Sequence, residues 1–529
     1  MNRPLGALGS LSSNNVIPDT GLCGTDPTTR PASRSSATLV LLCLLVAAMA
    51  FQSGRGLWDP DEGRYTDVAL QMLDSGDWLL PQLNDHREHL TKPPLTYWML
   101  ASAFSGIGRT EAAARLPNAL AFVLTGFMVW LFARQFGFHR PWLAPYVWGT
   151  ALLPLLAANV VTTDTLLACW QTAAMYCGWR MLGAPQQRQA SWRIAMWAAF
   201  GLGFLTKGPP ALLPLVPMLV TGWWSRTNVP KPKLVDIPSA LTFSALGLGW
   251  FAWLLVQRPE LLGYYLGHEL LDRIFSGVHR RNAEWYGALT VYVPALFLMV
   301  FPWGLYVAML RCRQRGVPTR AESPEPLGYP LRRRLLWAWL LIPLAVFVIA
   351  QSRLILYVLP LAVPLSLLVA GALDAQWRAG IPRAAVVALC AWVAVALALK
   401  GASTGLASAN DARALASQVA QLAPGARRIV FMDVAARYGL RFYLDLPVEQ
   451  VGSTSELAPV AHDQRAHLLC AELALSPGSA VIGRGTLLGD DADRATRPVC
   501  PGWTFSAPKS GAGLWLPMPA GRPGSSRSP

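Results

Sequence analysis

The chain has 529 residues, of which 53% are hydrophobic and 14% charged, with 22 Trp and a formal net charge of +15. A soluble globular domain carries about 25% charged residues, so an ordinary soluble enzyme is excluded. A polytopic membrane protein fits, because each spanning helix needs roughly 20 apolar residues. Nucleic acid is not needed to explain the positive charge: Lys and Arg fall in short loops between apolar runs, as they do in cytoplasmic membrane loops.

In chain order, residues 1–36 are rich in Ser, Thr, Pro and Gly and predict a disordered tail. Arg30 and Arg34 precede the first apolar run, Ala37 to Phe51, and predict a cytoplasmic N-terminus. Further spans are predicted near 115–136, 142–161, 165–182, 192–206, 209–224, 238–256, 288–310, 334–351, 354–372 and 383–400, giving 11 to 13 in all. Alternating them from an inside N-terminus puts Arg134 and Arg140, Arg180, Arg188 and Arg193, and Arg311 to Arg334 inside, and leaves the C-terminus outside. The first outer loop, 53–114, contains the apolar run Leu95 to Ile107, which is too short to span and predicts an interfacial helix. From 401 to 529 the composition changes. Arg428 to Met432 and Val448 to Val451 read as strands and Val434 to Phe442 as a short helix, which predicts a small α/β domain on the outer side. The expected organisation is therefore a cytoplasmic tail (1–36), an α-helical polytopic membrane domain (37–400) and an outer C-terminal domain (401–529). The eight Cys show no CxxC or zinc spacing, and Cys470 and Cys500 in the outer domain leave a disulfide open.

Candidate chemistry concentrates on the outer side. In Trp58-Asp59-Pro60-Asp61-Glu62-Gly63-Arg64-Tyr65, Asp59 as N-cap, Pro60 at N1 and Glu62 at N3 have the form of a capping box. Tyr65, Val68, Ala69 and Met72 follow at helical spacing, and Gly76 is the predicted stop. Asp61 is not needed for such a box, which makes it the carboxylate available to take a proton. Lys92-Pro93-Pro94 holds a Lys on a stiff segment, as either a phosphate partner or an interfacial cation. Asp164, at an outer helix end, reads as a functional acid, a helix cap or both. Lys207 precedes a Gly-Pro turn and has snorkelling as its ordinary alternative. The loop 257–287 carries His268, Glu269, Asp272, Arg273, His279 and Glu284 in a spacing that matches no strong metal motif. Arg273 offers a planar fork to phosphate. Arg353 and Tyr357 emerge between two spans, where an Arg is costly unless it meets an anion or the surface. Cations of this kind stabilise a phosphate leaving group, and a carboxylate orients or deprotonates an acceptor. A transporter would instead show mid-span charge and inverted repeats, and neither is evident.

At these residues the chain resembles the bacterial aminoarabinose transferases and, more widely, the protein O-mannosyltransferase-like superfamily of membrane glycosyltransferases with the GT-C fold. The resemblance runs through Asp61 to Tyr65, Met72 to Trp78, Lys92-Pro93-Pro94 to Trp98, Arg115-Leu116-Pro117 and Leu205 to Gly208. It continues through Arg273-Ile274-Phe275, Trp285-Tyr286, Phe301-Pro302-Trp303 and Ser352 to Pro360. It implies transfer of a sugar from a polyprenyl-phosphate donor to lipid A, or to another glycan or protein acceptor, on the outer face of a bacterial inner membrane. It further implies no cofactor and, as is usual there, no metal. Asp61 and Asp164 correspond to the catalytic acids. Lys92, Lys207, Arg273 and Arg353 correspond to the donor-phosphate cations, and Glu62, Tyr65, His268 and Tyr357 to the substrate cavity. Two positions depart from the closest pattern. Thr91 stands where a Glu is typical and Arg353 where a Lys is usual, which leaves the sugar open between aminoarabinose and a mannose-type hexose.

Overall fold

The computed structural model describes residues 34–84, 88–224, 233–263, 265, 281–313, 329–432, 435–451, 479–484, 503–506 and 512–517. The described part of the membrane domain is helical throughout, and a mixed five-stranded sheet follows it. Helices stand where the apolar runs predict them. Four are long and apolar enough to cross a membrane: Glu111–Gln135, Ile237–Gln257, Ile355–Gln376 and Arg383–Gly405. The paired helices Gly287–Leu298 and Trp303–Arg313 add a fifth candidate, bent by 83° at the break before Pro302 and Trp303.

One predicted single span is broken, and two others change helix type along their length. The 142–161 run forms two short helices, Leu143–Thr150 and Leu152–Ala157, which part at an extended Ala151. Pro154 has no N–H with which to continue the ladder back to Thr150. The 238–256 run changes to a π-turn at Ser244–Leu248, and the 354–372 run begins as a 3₁₀ segment, Ile355–Leu361. Such irregular turns release the backbone from one straight axis at defined points.

The first outer loop folds into two surface helices, Asp61–Ser75 and Leu95–Ile107. The first buries Tyr65, Val68, Ala69 and Met72, the predicted face, each worth about 1.5–3 kcal/mol for the larger side chains. It ends at Gly76, whose φ of 72° is left-handed and whose N–H reaches the Met72 carbonyl. The capping box is not formed. Pro60 occupies the N-cap position without a side-chain cap bond, and the Asp59 and Glu62 carboxylates are engaged elsewhere.

The sheet has strands β1 (Arg428–Met432), β2 (Val448–Val451), β3 (Ser479–Arg484), β4 (Trp503–Ser506) and β5 (Ala512–Pro517), in the order β2-β1-β3-β5-β4. Strand β1 pairs in parallel with β2 and β3, and β5 runs antiparallel to β3 and β4. The helix expected over Val434–Phe442 is Gly439–Leu444. Residues 433–434 lie outside the described residues, and Ala435 to Arg437 are non-helical, with Arg437 donating to the Ala409 carbonyl at 2.5 Å. A further helix, Ala412–Leu422, is capped by Asp411. Cys470 and Cys500 lie outside the described residues.

This C-terminal unit shares a core with the first loop. Leu57, Val68, Met72, Tyr97 and Phe104 pack in one cluster with Ala416, Ile429, Phe431, Leu440 and Phe442.

Candidate active site

The first loop is fastened to the membrane domain by a buried ion cluster. Glu62 accepts from Arg55 at 2.5 and 3.1 Å and from Arg115 at 3.2 Å on each oxygen. It also accepts from the backbone N–H groups of Trp58, at 2.8 Å, and Val161, at 2.9 Å. Arg115 is fully buried and donates further to the carbonyls of Gln52, Arg55 and Gly56. Arg55 also reaches the Asn159 carbonyl at 2.8 Å and lies over the Trp58 ring. Burial alone would raise the Glu62 pKa. The two guanidinium groups outweigh it and hold the carboxyl down at about 2. With every lone pair occupied, Glu62 is a fastening group, not the cavity wall expected from the sequence.

The cluster has a geometric consequence. Glu62 is next to Asp61, and Val161 and Asn159 lead into the helix Thr163–Gly183 that carries Asp164. Asn118 reinforces that segment by donating to the carbonyls of Val160 and Thr162. The two candidate acids are thus set against each other by one buried carboxylate. Asp164 is not the helix cap: Thr162 caps, accepting from the Asp164 N–H at 3.3 Å.

Asp61, in contrast, remains accessible. Its side chain is 47% exposed, against 2% for Glu62, and it pairs with Arg64 one turn along. Asp164 pairs with Lys207, the last residue of the helix Gln186–Lys207. That helix ends at Gly208, whose φ of 75° turns the chain into Pro209-Pro210. The Lys207 ammonium lies 4.2 Å from the centre of the Tyr357 ring, a cation–π contact. Tyr65 faces the same space. Burial pushes its hydroxyl pKa up, and Asp61, Asp164 and Tyr357 push it the same way. Asp164, Lys207 and Tyr357 are thus in direct contact, and the helix turn that carries Asp61 and Tyr65 is tied to the Asp164 segment through the Glu62–Val161 bond.

Lys92 lies on the segment before the second surface helix. It donates to the Thr91 carbonyl at 2.9 Å, and the Thr91 hydroxyl meets His89 Nε2 at 3.1 Å. His89 stands edge-on to Tyr97, which packs against Tyr65 at 5.8 Å between ring centres. Arg353 has a different setting from the one expected. It is buried and donates to the carbonyls of Asn282, Glu284 and Val348, so it closes the 281–287 loop onto its own segment. His268 and Arg273 lie outside the described residues.

Sequence reasoning gave no role to Arg55, Arg64, Arg115 or Tyr97. Arg64 was detectable from its i, i+3 spacing to Asp61. Arg115 was detectable as a charge at the start of an apolar helix, where it needs a partner. The Tyr97 hydroxyl is buried and has no hydrogen-bond partner among the described residues, and its ring packs against Tyr65.

Comparison with known proteins bears on this arrangement. The family model described as dolichyl-phosphate-mannose-protein mannosyltransferase matches residues 91–250. The undecaprenyl phosphate-alpha-4-amino-4-deoxy-L-arabinose arabinosyl transferase of Pectobacterium carotovorum is 30% identical over 399 residues, 70% of this chain and 65% of that protein. An enzyme of the same name from Sodalis glossinidius is 31% identical over 339 residues, 62% of this chain and 58% of that one. The chain thus spans less than two thirds of these relatives' length. The crystal structure of ArnT from Cupriavidus metallidurans bound to undecaprenyl phosphate superposes with a TM-score of 0.67 at 20% identity, covering 92% of this chain and 98% of that one.

Proposed function

With the GT-C fold shared and the sequence similar to the aminoarabinose transferases, we propose that this multi-pass membrane chain is a glycosyltransferase of the bacterial inner membrane. Its donor is a polyprenyl phosphate-linked sugar, 4-amino-4-deoxy-L-arabinose or a close relative, and its acceptor is lipid A on the periplasmic face. The observation that carries this reading is the Asp164–Lys207 pair against the Tyr357 ring, with one exposed carboxylate, Asp61, on the loop that Glu62 bonds to the segment leading into Asp164.

In the proposed reaction Asp61 takes the proton of an acceptor hydroxyl as its oxygen attacks the anomeric carbon of the donor. The bond from that carbon to the phosphate oxygen breaks, and polyprenyl phosphate leaves with the electron pair. Lys207 and Lys92 stabilise the charge that grows on the phosphate, and Arg273 is proposed to join them. Asp164 holds Lys207 in place and leaves its remaining protons to the ligand. Tyr65 and Tyr357 line the sugar site, with His268 proposed beside them.

Mass spectrometry of lipid A from a deletion strain, complemented with the wild-type gene, tests the proposal. Loss of a sugar-modified lipid A on deletion and its return on complementation are expected. An unchanged lipid A beside a changed protein or polysaccharide glycan would move the reading to the mannose-type alternative, which the 91–250 match favours.

A further inference from the structure

The C-terminal unit approaches the catalytic loop more closely than two packed surfaces ordinarily do. Asp59 is buried, and one of its oxygens accepts from the Gly439 N–H at 3.1 Å. A Cβ on Gly63 would stand 1.8 Å from that oxygen and 2.5 Å from the Gly439 nitrogen. A Cβ on Gly439 would stand 2.7 Å from the Ala412 Cβ and 2.9 Å from the second Asp59 oxygen. Two glycines facing one carboxylate therefore make a backbone-to-backbone fit with no room for a side chain.

The contact is surrounded by bonds that join the same two units. The Asp59 N–H donates to the Asn410 carbonyl at 2.9 Å, and the Ala412 N–H donates to the Leu57 carbonyl at 2.8 Å. The Tyr443 hydroxyl accepts from the Leu57 N–H at 2.8 Å. Arg441 is shared between Asp67 and Asp74 on the outer half of the surface helix. The charges that face Asp59 are Arg437 from the C-terminal unit and Glu62 and Arg64 from its own loop.

Asp59 therefore stands two residues before Asp61, between a fixed point on each side. Glu62 ties the loop to the membrane domain, and Gly439 ties it to the C-terminal unit. We propose that Asp59 is a positioning residue, and that the C-terminal unit, hooked to the loop through Gly439, sets the orientation of Asp61 and Tyr65. This rests on the glycosyl-transfer reading above. It makes the C-terminal unit part of the catalytic arrangement. Its hydrogen-bond acceptor, and not its charge, does the hooking, because the partner is a backbone N–H.

The test uses the full chain in detergent or nanodiscs with an undecaprenyl phosphate-linked sugar and lipid A, and hydrogen exchange of segments 61–66 and 439–444 as a second readout. Asp59→Ala is expected to lower kcat between about ten- and 100-fold, the scale of a small misplacement near the chemistry, with donor KM within about twofold. Exchange in both segments is expected to rise. Asp59→Asn, which keeps the acceptor, is expected to restore both kcat and protection. If Asp59→Ala fails to accumulate, Asp59→Ser, too short to reach Gly439, carries the same expectations. Unchanged kcat in a variant whose segments exchange faster overturns the proposal, as does an Asp59→Asn protein as slow as Asp59→Ala. A wild-type protein with no transferase turnover overturns the function reading instead, while exchange still reports on the hook.

Discussion

Asp61 and Glu62 are neighbours in sequence and opposites in environment. Glu62 is buried among six donors, while Asp61 is about half exposed beside a single Arg. One fixes the loop, and the other is the carboxylate proposed for chemistry. The difference arises because the first turn of a helix points successive side chains about 100° apart, so one acid faces inward and the next outward. One acid-rich motif thus holds a buried fastening group and an exposed carboxylate in adjacent positions.

The largest expected effect falls on the inward acid. Glu62→Gln leaves Arg55 and Arg115 buried without a counter-charge, and breaking a buried pair in this way costs about 3–5 kcal/mol. Folded yield and thermal unfolding in detergent would show it, and a stable Glu62→Gln protein would break the contrast. Asp61→Asn reverses the pattern. Turnover is expected to fall about 10²–10⁴-fold, the usual contribution of a general base. Its stability is expected to change by about 0.5 kcal/mol or less, because the pair is exposed. Lys207→Met is expected to raise donor KM and to leave Asp164 unpaired in a nearly closed setting, at a cost of about 1–3 kcal/mol. Titrating donor concentration in a transfer assay separates those two effects.

The smallest effect sharpens the comparison through pH. Burial lifts the Asp59 pKa to about 7, against the weaker pull of the Gly439 N–H and Arg437. The folded chain then prefers Asp59 protonated. That contribution is complete below the ordinary carboxyl range of about 4 and is lost as pH rises through about 7. For Glu62 the sign is opposite: its contribution is complete above the ordinary range of about 4 and is lost as pH falls through about 2. Asp59→Asn is therefore expected to be more stable than wild type at pH 8, by about 2 °C or more in Tm, with the gap narrowing as pH falls and closing toward about 4. A lower Tm at pH 8 would contradict the assignment.

Much of this was legible in the sequence. Apolar runs located the helices because membrane length leaves few alternatives. Helical spacing gave the buried face of Asp61–Ser75, and Gly76 gave its end. What stayed hidden was long-range. The Asp164–Lys207 pair joins residues 43 apart, at the far ends of two consecutive helices, and neither residue carries a local sign of the other. Asp59 has the sequence of a helix cap, yet its partner, Gly439, lies 380 residues away. Arg353 read as a phosphate ligand because a cation between spans needs an anion or the surface. Its two terminal nitrogens donate to backbone carbonyls, a partner that no local pattern announces. Local chemistry announced which residues are costly to bury, and only the fold decided what satisfies them.

The contrast between the two neighbouring acids is tested most directly by purified Asp61→Asn in a transfer assay with undecaprenyl phosphate-linked aminoarabinose and lipid A, run beside its thermal unfolding. The account predicts a protein that unfolds at the wild-type temperature and yields no more than about 1% of the wild-type product rate. Product formed at the wild-type rate by the folded variant would contradict it.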